Sequence, residues 1–151
     1  MVNNTRTSET TDFDAWIERD VWLDKVLQAT NARYFRGQAK SRIGWGLPVS
    51  PVIMDRTPDG LPQAPAACWR EHEVLIHPAL RDFKAPRYVI VYLIYHELLH
   101  ELHPGPPGKD PHTAALLLLE QERIAPARER AHAWLRKREF PVLRLPSDAP
   151  A

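Results

Sequence analysis

A chain of 151 residues has room for one domain with a substantial core. Its 44% hydrophobic and 26% charged residues match a soluble globular protein rather than a disordered one, and a net charge of +1 gives no general pull on nucleic acid or membranes. The single cysteine, Cys68, excludes an internal disulfide and a cysteine-based zinc ribbon.

Residues 1–11 are polar and are expected to be disordered; they carry no apolar stretch of the kind a secretory signal needs. No apolar run approaches the length of a membrane span, so a cytoplasmic protein is expected. Thr11 or Asp12 is read as the cap of a helix running to about Phe35. Its apolar positions Phe13, Trp16, Ile17, Leu23, Val26, Leu27 and Tyr34 recur near helical spacing. Arg42 to Leu47 reads as a short strand around Trp45. The proline-rich stretch 48–66 reads as loop, with a short strand at Val52-Ile53-Met54. Ala67 to Ile76 reads as one or two strands, ended by His77-Pro78.

Pro86 suits the first turn of a helix. From Arg87 to Leu102 there is neither Gly nor Pro, and Val89, Ile90, Val91, Leu93, Ile94, Leu98, Leu99 and Leu102 make the segment apolar on most sides, as in a buried helix. Within it stands His96-Glu97-Leu98-Leu99-His100. Residues four apart share a helix face, so both imidazoles can reach one Zn²⁺, with Glu97 beside them to activate a bound water. Two histidines and a glutamate in a buried helix are costly unless paired or metal-bound. The bland alternative is a core helix whose histidines only hydrogen-bond to neighbours.

The Pro/Gly-rich loop after His103 must end this helix. Asp110 and Pro111 then read as N-cap and first position of another, which Pro126 interrupts before it continues to about Lys137. The domain is thus placed at residues 12–139, with a Pro-rich tail over 140–151. The element order, helix then strands then helices, is that of an α+β domain.

A catalytic zinc takes three protein ligands and keeps one open position. His103, His112, Glu120 and Glu122 are candidates for the third. His103 sits seven residues from His96, roughly 10 Å along a helix axis, too far to share its ion. His112 is favoured over Glu120 on loop geometry and ligand type.

These residues resemble the SprT-like zinc metalloprotease domains over roughly residues 27–135. Asn31-Ala32-Arg33-Tyr34-Phe35 is similar to the family's helix end, and Glu73-Val74-Leu75-Ile76-His77-Pro78-Ala79-Leu80 to its edge strand. The run from Pro86 through His100 is similar to its zinc helix, and His112, Leu116 and Glu120 to its downstream helix. The resemblance implies a zincin-like minimal domain: a small, mainly antiparallel sheet, an N-terminal helix, a buried zinc helix and C-terminal helices. It implies zinc on His96, His100 and His112, with Glu97 as general base. The four-cysteine ribbon of longer members is absent.

The expected function is therefore a zinc-dependent metallopeptidase acting on protein or peptide, with substrate lying antiparallel beside the Glu73–His77 strand. The main alternative is a catalytically silent zinc-binding interaction module. A weak association with nucleic acid through Arg128, Arg130, Arg136, Lys137 and Arg138 is a third reading, although Glu129 and Glu139 interrupt that run and favour a solvated face. His72, His77 and His132 read as surface or hydrogen-bonded residues. Tyr92 and Tyr95 read as packing, the tryptophans as core anchors, and Cys68 as no nucleophile.

Overall fold

The computed structural model describes residues 17–48, 66–105, 114–138 and 140. The expected strand at Val52-Ile53-Met54, the Asp110-Pro111 helix start, His112 and the 141–151 tail lie outside them. In chain order the described elements are α1 (Val21–Phe35), β1 (Arg42–Trp45), β2 (Ala67–Arg70), β3 (Glu73–Ile76), α2 (Ala79–Asp82), α3 (Arg87–Leu102) and α4 (Ala114–Lys137). The α+β class stands, with one small three-stranded sheet and helices before and after it.

The expected helix start at Thr11 or Asp12 lies outside the described residues, and the helix that ends at Phe35 begins at Val21. Glu18 instead forms an antiparallel bridge with Trp45, the two exchanging N–H···O bonds of 2.8 and 2.9 Å, so the backbone there cannot be helical. Asp20 then caps the helix. Its Oδ1 accepts from the amides of Trp22 and Leu23, while Oδ2 accepts from the indole N–H of Trp45 at 2.9 Å. One aspartate thus starts α1 and ties it to β1. Gly44 permits this closeness, because a Cβ there would lie 2.5 Å from Ile17 Cγ2 and 3.0 Å from the Glu18 carbonyl oxygen. At the other end, the Asn31 amide holds the returning chain by two bonds of 3.0 Å to the Ala39 backbone.

The sheet order is β1-β3-β2, with β1 parallel and β2 antiparallel to β3. The sheet is therefore mixed rather than mainly antiparallel. Strand β3 lies in the middle, hydrogen-bonded on both sides, so the expected peptide-docking edge at Glu73–His77 does not exist. All four residues of β3 are buried, including Glu73. Its carboxylate is held by a two-pronged Arg19 pair, both bonds 2.8 Å, and by Arg42 at 2.5 Å. Burial pushes this carboxyl up, and the two guanidiniums more than reverse that, leaving it below its usual range. β2 and β3 form a hairpin whose two-residue turn, Glu71-His72, has φ of 52° and 62° at residues that are not glycine.

Helix α3 runs over the expected residues and is the centre of the packing, touching α1, α4, β2 and β3. Val89, Ile94, Tyr95, Leu98 and Leu99 are wholly buried on it. At about 1.5–3 kcal/mol for each large apolar side chain removed from water, this contact strongly favours a helix despite the β-branched run Val89-Ile90-Val91. Helix α4 packs along α3 and is bent at Ile124 (φ −136°, ψ 23°), two residues ahead of Pro126. The proline ring removes a backbone donor and crowds the carbonyl four residues before it, so a bend is the expected relief. Trp45 is a core residue, whereas Trp22 is partly exposed. No described helix is long and apolar enough to cross a membrane.

Candidate metal centre

His96 and His100 are one helical turn and a fraction apart on α3, so their side chains share a face. Their rings meet edge to face with centroids 4.9 Å apart, and the two Nε2 atoms face each other at 3.2 Å. Two imidazole nitrogens on one tetrahedral zinc, each at 2.0–2.1 Å, are separated by about 3.3 Å. The observed spacing is thus the edge of such a coordination shell. Glu97 completes the cluster: one donor atom from each of His96, Glu97 and His100 lies within 4.8 Å of the others, and all three residues are buried. A buried group of two imidazoles and a carboxylate fits a divalent metal ion, and ligand type alone does not identify which one.

Burial pushes the Glu97 carboxyl up to about 7, with the His96 charge opposing the shift and the Glu120 charge adding to it. A carboxyl poised there can exchange protons near neutrality.

Glu120 takes a role that the sequence did not reveal. It projects from α4 with 1% of its surface exposed. Its Oε2 binds His96 Nδ1, the ring nitrogen opposite the one that faces His100, and its Oε1 accepts from Tyr92 Oη–H and Arg128 Nε–H, each at 3.0 Å. Behind Tyr92, its hydroxyl oxygen lies 2.7 Å from His132 Nε2. Desolvation would raise the Glu120 pKa, but His96, Tyr92 and Arg128 outweigh it and hold the carboxyl well below its ordinary range. His96 is correspondingly pulled down by burial and lifted further by Glu120. Glu120 therefore braces His96 from behind and does not join the cluster in front. The signal for this was present as spacing. The buried stripe of α4 runs Leu116, Glu120, Ile124, Arg128, His132 in steps of four, and three of its five members are polar or charged.

No protein-family model, curated protein or solved structure matches this chain. His96, Glu97 and His100 come together as expected, while His112 lies outside the described residues. His103 caps the end of α3 in an exposed position, and Glu122 is exposed on α4. Tyr92 and Tyr95 are both turned inward, Tyr92 to Glu120 and Tyr95 to the Leu119 carbonyl and the rings of Tyr34 and Phe35. The end of α3 is pinned as well: Glu101, next to His100, accepts from the Lys40 amide and the Ser41 hydroxyl, both at 2.6 Å. Arg128 is buried on Glu120 and so leaves the expected basic face; Arg130 lies over Tyr88 at 4.1 Å and Arg138 over Trp134 at 3.8 Å.

Proposed function

We propose that the chain is a zinc-dependent peptidase of the SprT-like, zincin type, in which His96, His100 and His112 hold the metal and Glu97 is the general base. One observation carries this reading: two Nε2 atoms 3.2 Å apart, with the buried Glu97 carboxylate in the same cluster. Zinc, if held by these residues, would supply a water of lowered pKa, toward about 7, and a Lewis acid for the peptide carbonyl. Glu97 takes a proton from the attacking water as its oxygen bonds to the carbonyl carbon. As the C–N bond breaks, Glu97 returns that proton to the departing amine nitrogen. Burial strengthens the hold of the Glu97 carboxylate on a proton, which suits it to the role of acceptor. With β3 enclosed on both sides, an extended substrate would pair with another edge, and among the described residues β2 offers one on the side away from β3.

The test is elemental analysis of the purified chain followed by cleavage of an unfolded polypeptide such as casein. Wild type carrying one zinc should cleave, and Glu97→Gln should carry zinc and not cleave. Wild type that binds zinc yet behaves as Glu97→Gln does in cleavage would favour the silent zinc-binding module. A chain that takes up no divalent metal would end the proposal.

A further inference from the structure

The hydrogen bonds around Glu120 have a definite direction. Arg128 Nε–H can only donate, and it shares this carboxylate with Tyr92 Oη and His96 Nδ1, so the carboxylate is the common acceptor and the proton in its bond to His96 belongs to Nδ1. Tyr92 has one hydroxyl proton and donates it to Glu120 Oε1. Its oxygen can then only accept from His132, which must carry its proton on Nε2. Arg128 adds a further N–H to Oε1. Each of these four bonds points, directly or through Tyr92, to one carboxylate. Nδ1 of His96 therefore keeps its proton, and Nε2, facing His100, is the nitrogen left to coordinate.

We propose that Glu120, itself held by Tyr92 and Arg128, is the positioning residue of the metal centre: it commits His96 to bind through Nε2 and is not a ligand. This rests on the metal-site reading above. It accounts for why a charged carboxylate and a guanidinium lie buried between two helices, where an apolar pair would pack as well. Carboxylates of this kind behind a metal-binding imidazole fix the tautomer and ring orientation, and their loss typically weakens metal binding 10- to 100-fold.

Glu120→Gln tests the inference. The single amide oxygen would be claimed by the Arg128 and Tyr92 donors, which turns the NH₂ group onto His96 Nδ1. Two donors would then face each other, or His96 would move its proton to Nε2 and block the coordinating position. Zinc affinity, measured by competition with a chelating indicator, should fall 10- to 100-fold while circular dichroism shows the fold intact. Long-range ¹H–¹⁵N spectra of the zinc-loaded wild type should show His96 with a proton on Nδ1 and metal on Nε2. This readout needs no variant and so serves even if Glu120→Gln does not fold. Unchanged affinity in a folded Glu120→Gln, or metal on Nδ1 of wild-type His96, overturns the inference and leaves the peptidase reading standing. A wild type that binds no zinc removes both.

Discussion

His132 gives a measurable link between pH and stability. It is 4% exposed, and burial, helped by the charges of Arg128 and Arg136 and opposed by Glu120, pulls its pKa from 6.5 down to about 4. Folded His132 is thus neutral in a range where the unfolded chain takes up a proton. The unfolded state binds more protons between pH 6.5 and 4, so stability falls as the pH drops through that window and is unaffected above it. At 1.36 kcal/mol per pKa unit, the loss from this one residue reaches about 2 kcal/mol at pH 5 and about 3 kcal/mol when the transition is complete. His132→Leu removes the titration and keeps a side chain of similar size. Urea unfolding of wild type and variant at pH 8, 6.5, 5.5 and 5 gives two stability curves, in which contributions from other groups such as His77 cancel on subtraction. The variant should be the less stable at pH 8, where it lacks the bond to Tyr92, and the gap should close or invert by pH 5. Parallel curves would refute the placement of His132 as a buried neutral donor.

Two further substitutions test the frame around the site. Gly44→Ala forces a methyl group to within 2.5 Å of Ile17 and against the Glu18 carbonyl, and should cost about 2 kcal/mol in urea unfolding, within the span typical of overpacking; an unchanged midpoint would show that the Glu18–Trp45 bridge is absent in solution. Glu71→Asn relieves a left-handed conformation at a residue poorly suited to it, with φ of 52°. It should stabilise the chain by about 0.5 kcal/mol, read as a rise of about 2 °C in Tm, and a fall would contradict the turn geometry.

What could be read from the sequence, and what could not, divides by the range of the interaction. α3 was legible throughout because its cause is local: sixteen residues free of helix breakers, mostly apolar, with histidines at the spacing of one face. Its neighbours were harder. Ile17 to Asp20 has helical periodicity, yet Glu18 pairs with Trp45, twenty-seven positions on, and that tertiary bond overrides the local preference. Alternation marks a strand but does not say which strand lies in the middle, and Glu73–Ile76, edge-like in sequence, is the central one. Composition likewise does not separate a carboxylate that binds metal from one that braces a ligand. Glu120 and Arg128, eight residues apart, pair along α4 across its bend at Ile124, a contact that spacing along a straight helix does not announce.

The clasp of Glu101 on Lys40 and Ser41 has a thermodynamic consequence when taken with the brace on His96. The His96 imidazole is held by α4, and the helical turn that carries His100 is anchored, through Glu101, to the chain entering the sheet. The placement of the helical turn and of the His96 ring is therefore dictated by the packed domain and is completed when the polypeptide folds. A cation captured between the two imidazoles has less left to freeze, so its affinity would rise and fall with the integrity of the whole domain rather than with the helical turn that bears the rings.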